Sequence, residues 1–140
     1  MEKIYRSILE EAHQAAIKAH KECVPMPMSF YPTDLNGKQL GPATIEMEGN
    51  CGGAYIKGIH GKDPLVKFFK KYGKATVFNQ HYVLDNGIAI NKGVYTGYVL
   101  YIPYPDYRGQ SHEKYRAGAQ AFAKVLNKNG IKCVAYDYLD

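Results

Sequence analysis

Arginine is scarce in this 140-residue chain: Arg6, Arg108 and Arg116 stand against 15 lysines. The lysines are scattered, and no run of Lys and Arg exceeds two residues. The formal net charge of +5 therefore leans toward anionic partners without forming the basic track that duplex binding requires. Cysteine is also sparse. Cys23, Cys51 and Cys133 are odd in number and make no CxxC pair, which points away from a disulfide framework and toward reduced thiols. No apolar run approaches the ~20 residues of a membrane span. The opening MEKIYRSILEEAH mixes acids and bases from the start, unlike a secretory signal. These absences predict an intracellular protein with no membrane segment.

Catalytic signatures are missing too. None of His13, His20, His60, His81 and His112 opens an HxT or HxS motif, so the paired motif of a two-histidine phosphodiesterase is absent. The acids are dispersed, whereas a metal-dependent nuclease needs several converging carboxylates. Neither a GxSxG elbow nor an HExxH helix occurs. Glu10 and His13 have the ExxH spacing that puts two ligands on one helical face, but a dinuclear carboxylate site needs a second such motif. Both are read as surface residues. The run Gly49-Asn50-Cys51-Gly52-Gly53 lacks the GK[ST] ending of a P-loop and leads into a strand, so it is read as a hairpin turn. Missing motifs lower the expectation of an enzyme without excluding one, and no metal or cofactor is expected.

What the chain does have is an ordinary globular composition, 46% hydrophobic and 22% charged, over a length that predicts one domain spanning residues 1–140. Intervals of three and four between Ile4, Ile8, Ala12, Ala15, Ala16 and Ala19 predict an amphipathic helix from Glu2 to about Lys21, ended by Val24 before Pro25. Residues 24–42 hold four prolines and an Asn36-Gly37 turn signal. They predict an ordered, extended connection packed onto the fold by Met26, Met28, Phe30 and Tyr31. Alternation predicts a strand over 43–48 and a returning strand over 54–59. Asp63-Pro64 starts, and Gly73 ends, a short helix that buries its phenylalanines. Strands follow over 74–84, 88–91 and 94–102, joined by Asp85-Asn86-Gly87 and Lys92-Gly93 turns. A helix from Gln110 or Ser111 to Asn129-Gly130 buries Tyr115, Ala119, Phe122, Ala123 and Leu126, and a last strand covers 131–138. The predicted fold class is α+β, an antiparallel β-sheet covered by two long helices, one N-terminal and one near the C-terminus, and one short helix.

The chemistry concentrates in Tyr101 to Arg116, YIPYPDYRGQSHEKYR. This corner between a strand and a helix holds four tyrosines and two of the three arginines. Aromatic faces stack on a base, and Arg chelates phosphate through parallel donors at any relevant pH. The competing reading is a strand end whose tyrosines are half core. Tyr82 and Asn91 flank the preceding hairpin, where an aromatic and an amide would meet a bound base, and Lys57 follows the glycine run.

The stretches MEKIYRSILEEAHQAA, PMSFYPTD, LVKFFKKYGKA, IPYPDYRGQSHEKY and GAQAFAKVLNKNGIKC resemble the phage-encoded Thoeris anti-defence sponge family over nearly the whole chain. The resemblance implies a non-enzymatic protein of the host bacterial cytoplasm. Such a protein binds and sequesters the cyclic ADP-ribose isomer (gcADPR) that bacterial TIR proteins make on infection, without degrading it. It further implies a homo-oligomer, a dimer or a hexamer, with pockets formed between chains, and in some relatives separate pockets for the cyclic di- and trinucleotides of CBASS defence. Carried over by position, Tyr82 is the stacking aromatic and Asn91 the amide contact. Arg108, with Asp106 and Tyr107, holds phosphate and ribose, while His112, Tyr115 and Arg116 complete the wall. Lys57 and His112 stand where some relatives have arginine. Lys lacks the planar bidentate contact and His is mostly neutral at pH 7, which weakens the case for a second nucleotide site.

Two other readings stay open. His81 and His112 near the same presumed pocket fit a cyclic-nucleotide hydrolase. A pI near 9.0 and abundant tyrosine fit a small RNA- or single-strand-binding module.

Overall fold

Helix α1 (Glu2–Glu22) is the longest element of the computed structural model, which describes residues 2–47, 49–76, 81–93 and 96–140. It packs against α3 (His112–Lys128), while α2 (Pro64–Tyr72) covers the other end of the same core. Eight strands follow in chain order: β1 (Met28–Phe30), β2 (Thr44–Glu46), β3 (Gly52–Ile59), β4 (Lys74–Ala75), β5 (Tyr82–Val83), β6 (Ala89–Lys92), β7 (Tyr98–Tyr101) and β8 (Val134–Leu139). Six of them form an antiparallel sheet in the order β4-β5-β6-β7-β3-β8, and β1 pairs with β2 in a separate two-stranded sheet. The protein is thus an α+β fold, as its sequence predicts.

Register decides which face meets the helices. Directly paired residues share a face, and faces alternate along each strand. The pairs Ile56↔Leu100 and Ile90↔Leu100 line up three fully buried aliphatic side chains. Onto them α3 lays Phe122 and Leu126, α1 lays Leu9, and α2 lays Leu65 and Phe69, all buried. Ala12, Ala16 and Ala119 keep α1 and α3 close, since small side chains let helix backbones approach. Each of these buried Leu, Ile or Phe side chains contributes about 1.5 to 3 kcal/mol. The opposite face of the sheet has no helix among the described residues.

Local signals hold where they are self-contained. Asp63 caps α2, its Oδ1 accepting from the Leu65 NH at 2.9 Å, and Pro64 sits at the first helical position. Ser111 caps α3 through Oγ and the Lys114 NH. In the 85–87 hairpin, Gly87 takes φ 89°, a left-handed backbone open to glycine, and the Leu84 NH donates to the Ile88 carbonyl.

Several expected pairings differ. The strand at 44–46 does not pair with 54–59 but with Met28–Phe30, so GNCGG is not a hairpin turn. Gly52 and Gly53 are strand residues. A Cβ on Gly52 would meet the Tyr138 carbonyl and His112, and one on Gly53 would meet the Tyr138 ring. The glycines give room for neighbours rather than a reversal. Residues 74–84 are not one strand: Lys74↔Val83 and Ala75↔Tyr82 fold them back on themselves, with 77–80 outside the described residues. The strand expected over 94–102 is regular from Tyr98 to Tyr101, with Thr96 and Gly97 in a bend and 94–95 outside the described residues.

The proline-rich segment is also corrected. Met26 and Tyr31 are exposed rather than packed on the fold, and the side chains of Met28 and Phe30 lie outside the described ones. His13, read as a surface residue, is buried with Nε2 2.9 Å from the Pro103 carbonyl, whereas Glu10 is exposed.

Candidate functional site

The helix-free face of the sheet gathers tyrosines from three adjacent strands. Tyr55 of β3 lies opposite Tyr136 of β8, with ring centroids 5.1 Å apart. Tyr101 of β7 and Tyr138 of β8 stand 6.0 and 6.1 Å from Tyr55. Burial, followed by the charges its three neighbours would carry, pushes the Tyr55 hydroxyl above the ordinary tyrosine range. The Tyr55 ring therefore stays a neutral platform at physiological pH.

Lys57 reaches over this cluster, its Nζ 4.3 Å from the Tyr136 centroid, a cation–π contact. Gly58 follows with φ 82°, and the register slips between Ile56 and Ile59, a bulge that bends β3 beside the lysine. Across β7, Asn91 of β6 pairs with Val99 and so shares the face of Tyr101. Its Oδ1 is buried and has no hydrogen-bond partner among the described residues. Lys57, Asn91, Tyr55, Tyr101 and Tyr136, with Lys92, line a depression of about 510 Å³. No carboxylate or histidine is among its described lining residues.

A second, smaller recess of about 240 Å³ lies at the corner after β7, lined by Ile17, His20, Lys21, Tyr104, Asp106, Tyr107 and Lys114 among others. His20 stacks on Tyr104 at 4.2 Å and meets the Tyr107 ring edge-on at 4.4 Å. Tyr115 closes the cluster, 5.6 Å from both Tyr104 and Tyr107. Burial, and secondarily Tyr115, raises the Tyr104 hydroxyl well above its ordinary value.

The residues singled out from sequence divide between these two places. Lys57 and Asn91 meet on the open face. Asp106 and Tyr107 line the corner recess. Tyr82 does not join Asn91: it pairs with Ile90, packs against the core, and so lies on the helix side of the sheet. Alternation along a strand makes that separation unavoidable within one chain. His112 turns its Nε2 to Asp137 of β8 at 2.6 Å and is largely buried. The Tyr107 hydroxyl accepts from the Ser111 NH, and the Tyr115 hydroxyl donates to the Gly109 carbonyl. These three side chains brace the turn into α3. Arg108 and Arg116 are exposed and have no ion-pair partner among the described residues; Asp106 is exposed too and forms no bridge to Arg108.

Tyr55, Tyr136 and Tyr138 were missed. The available signal was Val134, Tyr136 and Tyr138 at a spacing of two, which puts an aromatic stripe on one strand face. His20 was missed because it ends a helix read in isolation. Among the described residues no group of three His, Cys, Asp or Glu is placed to hold a metal, and no helix is long and apolar enough to cross a membrane. No family model, curated protein or solved structure matches the chain.

Proposed function

We propose that this protein binds a cyclic ADP-ribose-type nucleotide on the tyrosine face of its sheet and sequesters it intact, as the resemblance to Thoeris anti-defence sponges implies. The observation that carries the reading is the conjunction, in the lining of a single depression, of three clustered tyrosines, a lysine over one of them and a buried amide oxygen with no hydrogen-bond partner among the described residues. A base stacks on Tyr55 or Tyr136. Its exocyclic amine donates to Asn91 Oδ1, and Lys57 and Lys92 neutralise phosphate. The described lining holds no carboxylate or histidine, and His81, stacked beside Tyr101 with centroids 6.2 Å apart, stands outside it, which supports holding over hydrolysis because general acid–base catalysis at neutral pH uses such groups most. Cyclic di- and trinucleotides share the same base and phosphate chemistry and are the second ligand class to try.

The test is calorimetric titration with the cyclic ADP-ribose isomer, then heat denaturation and mass spectrometry of the released ligand. Binding with intact recovery is the expected result, and each lost stack is worth about 1 to 3 kcal/mol. Tyr136→Ala should therefore weaken Kd by roughly 5- to 150-fold. Recovery of a cleaved product would instead establish the hydrolase reading.

One observation favours a second reading. The tyrosine face is open, and single-stranded RNA is commonly read by bases stacked on the exposed aromatics of an antiparallel sheet. Under that reading an oligonucleotide binds with affinity falling steeply as salt rises. The same titration repeated at two salt concentrations separates the two.

A further inference from the structure

Lysines that look scattered along the sequence are gathered by the fold at one end of the molecule. Residues 2–6 and 62–74 hold seven of the 18 basic side chains and two of the 13 acids, a balance of +5 that equals the net charge of the whole chain. The remainder is neutral. The start of α1 lies against α2, with the Tyr5 and Phe68 rings 5.7 Å apart and the Arg6 guanidinium 5.5 and 5.3 Å from the Phe68 and Tyr72 rings. The two basic stretches therefore form one surface.

Lys67, Lys70 and Lys71, at intervals of three and four, share the outer face of α2, while Leu65, Val66, Phe68 and Phe69 are buried on its inner side. Lys62 precedes the helix and Lys74 follows its Gly73 cap. These five lysines are exposed and have no ion-pair partner among the described residues. Both acids of the patch are engaged, Glu2 with Arg6 at 3.0 Å and Asp63 with the Leu65 NH at 2.9 Å.

Two observations separate this patch from an ordinary solvated face. Aromatic rings hold its cations: Lys70 Nζ lies 5.3 Å from the Tyr98 centroid and Lys71 Nζ 5.3 Å from that of Tyr72. A hydrogen bond to Tyr98 also pushes the Lys70 ammonium above its ordinary range. Side chains already held in place lose less freedom when an anion arrives. The second observation is a recess of about 180 Å³ beside Lys67 and Lys71, lined by Tyr5, Phe68 and Tyr72. An aromatic recess with ammonium groups at its rim suits a flat base flanked by phosphates. A lipid surface has no such group to place there, and α2 keeps no apolar side chain free for insertion.

We propose that the α2 face binds single-stranded nucleic acid, its lysines contacting successive phosphates while one base enters the recess beside Tyr72. A single strand fits better than a duplex, whose bases stay stacked and paired out of reach of such a recess. The site lies on the helix side of the sheet, opposite the tyrosine face. The inference goes beyond both readings of that face and stands without them.

The test is fluorescence anisotropy of labelled oligouridylate and oligothymidylate, about ten nucleotides long, with the full chain. Both should bind within a few-fold of each other, because the contacts are to phosphate and to the face of a base. With Lys67, Lys70, Lys71 and Lys74 on phosphates, log Kd should rise with log salt at a slope of about 2.8. Lys67→Gln with Lys71→Gln, both at exposed positions, should weaken binding at least about 10-fold and lower the slope to about 1.4. Lys18→Gln with Lys124→Gln removes the same charge from exposed positions elsewhere and should leave the affinity within about 2-fold. An abasic strand of equal length should bind about 5- to 150-fold more weakly. Tyr136→Ala should have no effect. Equal losses from the two lysine pairs, an abasic strand bound as tightly, or binding abolished by Tyr136→Ala overturns the proposal. So does a protein that ignores both oligonucleotides yet sediments with anionic phospholipid vesicles through Lys67 and Lys71. The Lys67/Lys71 variant should titrate with the cyclic ADP-ribose isomer as the wild type does, so failure here is distinguishable from failure of the nucleotide reading.

Discussion

At Gly118 of α3 the absence of one carbon decides how the corner closes. A Cβ there would overlap the Tyr104 hydroxyl, which is buried with no hydrogen-bond partner among the described residues. Gly118→Ala should therefore cost about 1 to 3 kcal/mol in urea unfolding, and adding Tyr104→Phe should recover part of it, since it removes the obstructing oxygen while the ring edge still crowds the new methyl group. Cys133 offers a test by pH. Burial, and secondarily the Asp63 carboxylate, pushes its thiol from 9.0 up to about 11. Below pH 9 the thiol is protonated folded or unfolded; between 9 and 11 the unfolded chain ionises first, so this contribution to stability is lost as pH rises. Thermal melts should show a shallower decline over that window for Cys133→Ala than for the wild type. Exposed Cys51 should react with a thiol reagent at pH 8 while Cys133 resists it. Single residues were the least legible part of the sequence. His13 looked like a solvent-facing histidine, and nothing marked His20 as buried, because a helix read alone assigns polar side chains to water. Their burial depends on Pro103, Tyr104 and Tyr107, more than 80 positions away.

Elements whose signals are local were read correctly, and α2 is the clearest case. Its cap, its proline and its apolar spacing all lie within ten residues. Asp63→Ala should lower stability by about 1 kcal/mol, seen as a drop in Tm, because the Leu65 NH loses its acceptor. Strand partners were legible across the tight 85–87 turn and across the Lys92-Gly93 turn, where β6 pairs with β7. β3 pairs with β7 and β8, some 40 and 80 residues further on, and no property of GNCGG announces that. Glycines that make way for a neighbouring strand look the same in sequence as glycines that reverse the chain. Likewise, the aromatic corner was visible as composition, but the structure spends much of its polarity internally, on Ser111, Gly109 and Asp137. The open face was half visible, through Lys57 and Asn91.

For the whole molecule, the governing asymmetry is a sheet with three helices on one side and tyrosines on the other. A ligand that binds only the folded state raises stability by about 2.7 kcal/mol at 100 times its Kd, which for a chain this size moves Tm by roughly 10 °C. A cyclic ADP-ribose isomer should produce that shift in a thermal melt, and Tyr136→Ala should abolish most of it. The tyrosine face has one more consequence, for how the protein is observed. The chain has 13 tyrosines and no tryptophan, so its intrinsic ultraviolet fluorescence is tyrosine emission, unmasked by any indole. Four of the emitters stand together on the helix-free face, so a molecule that settled there would change their light without a label.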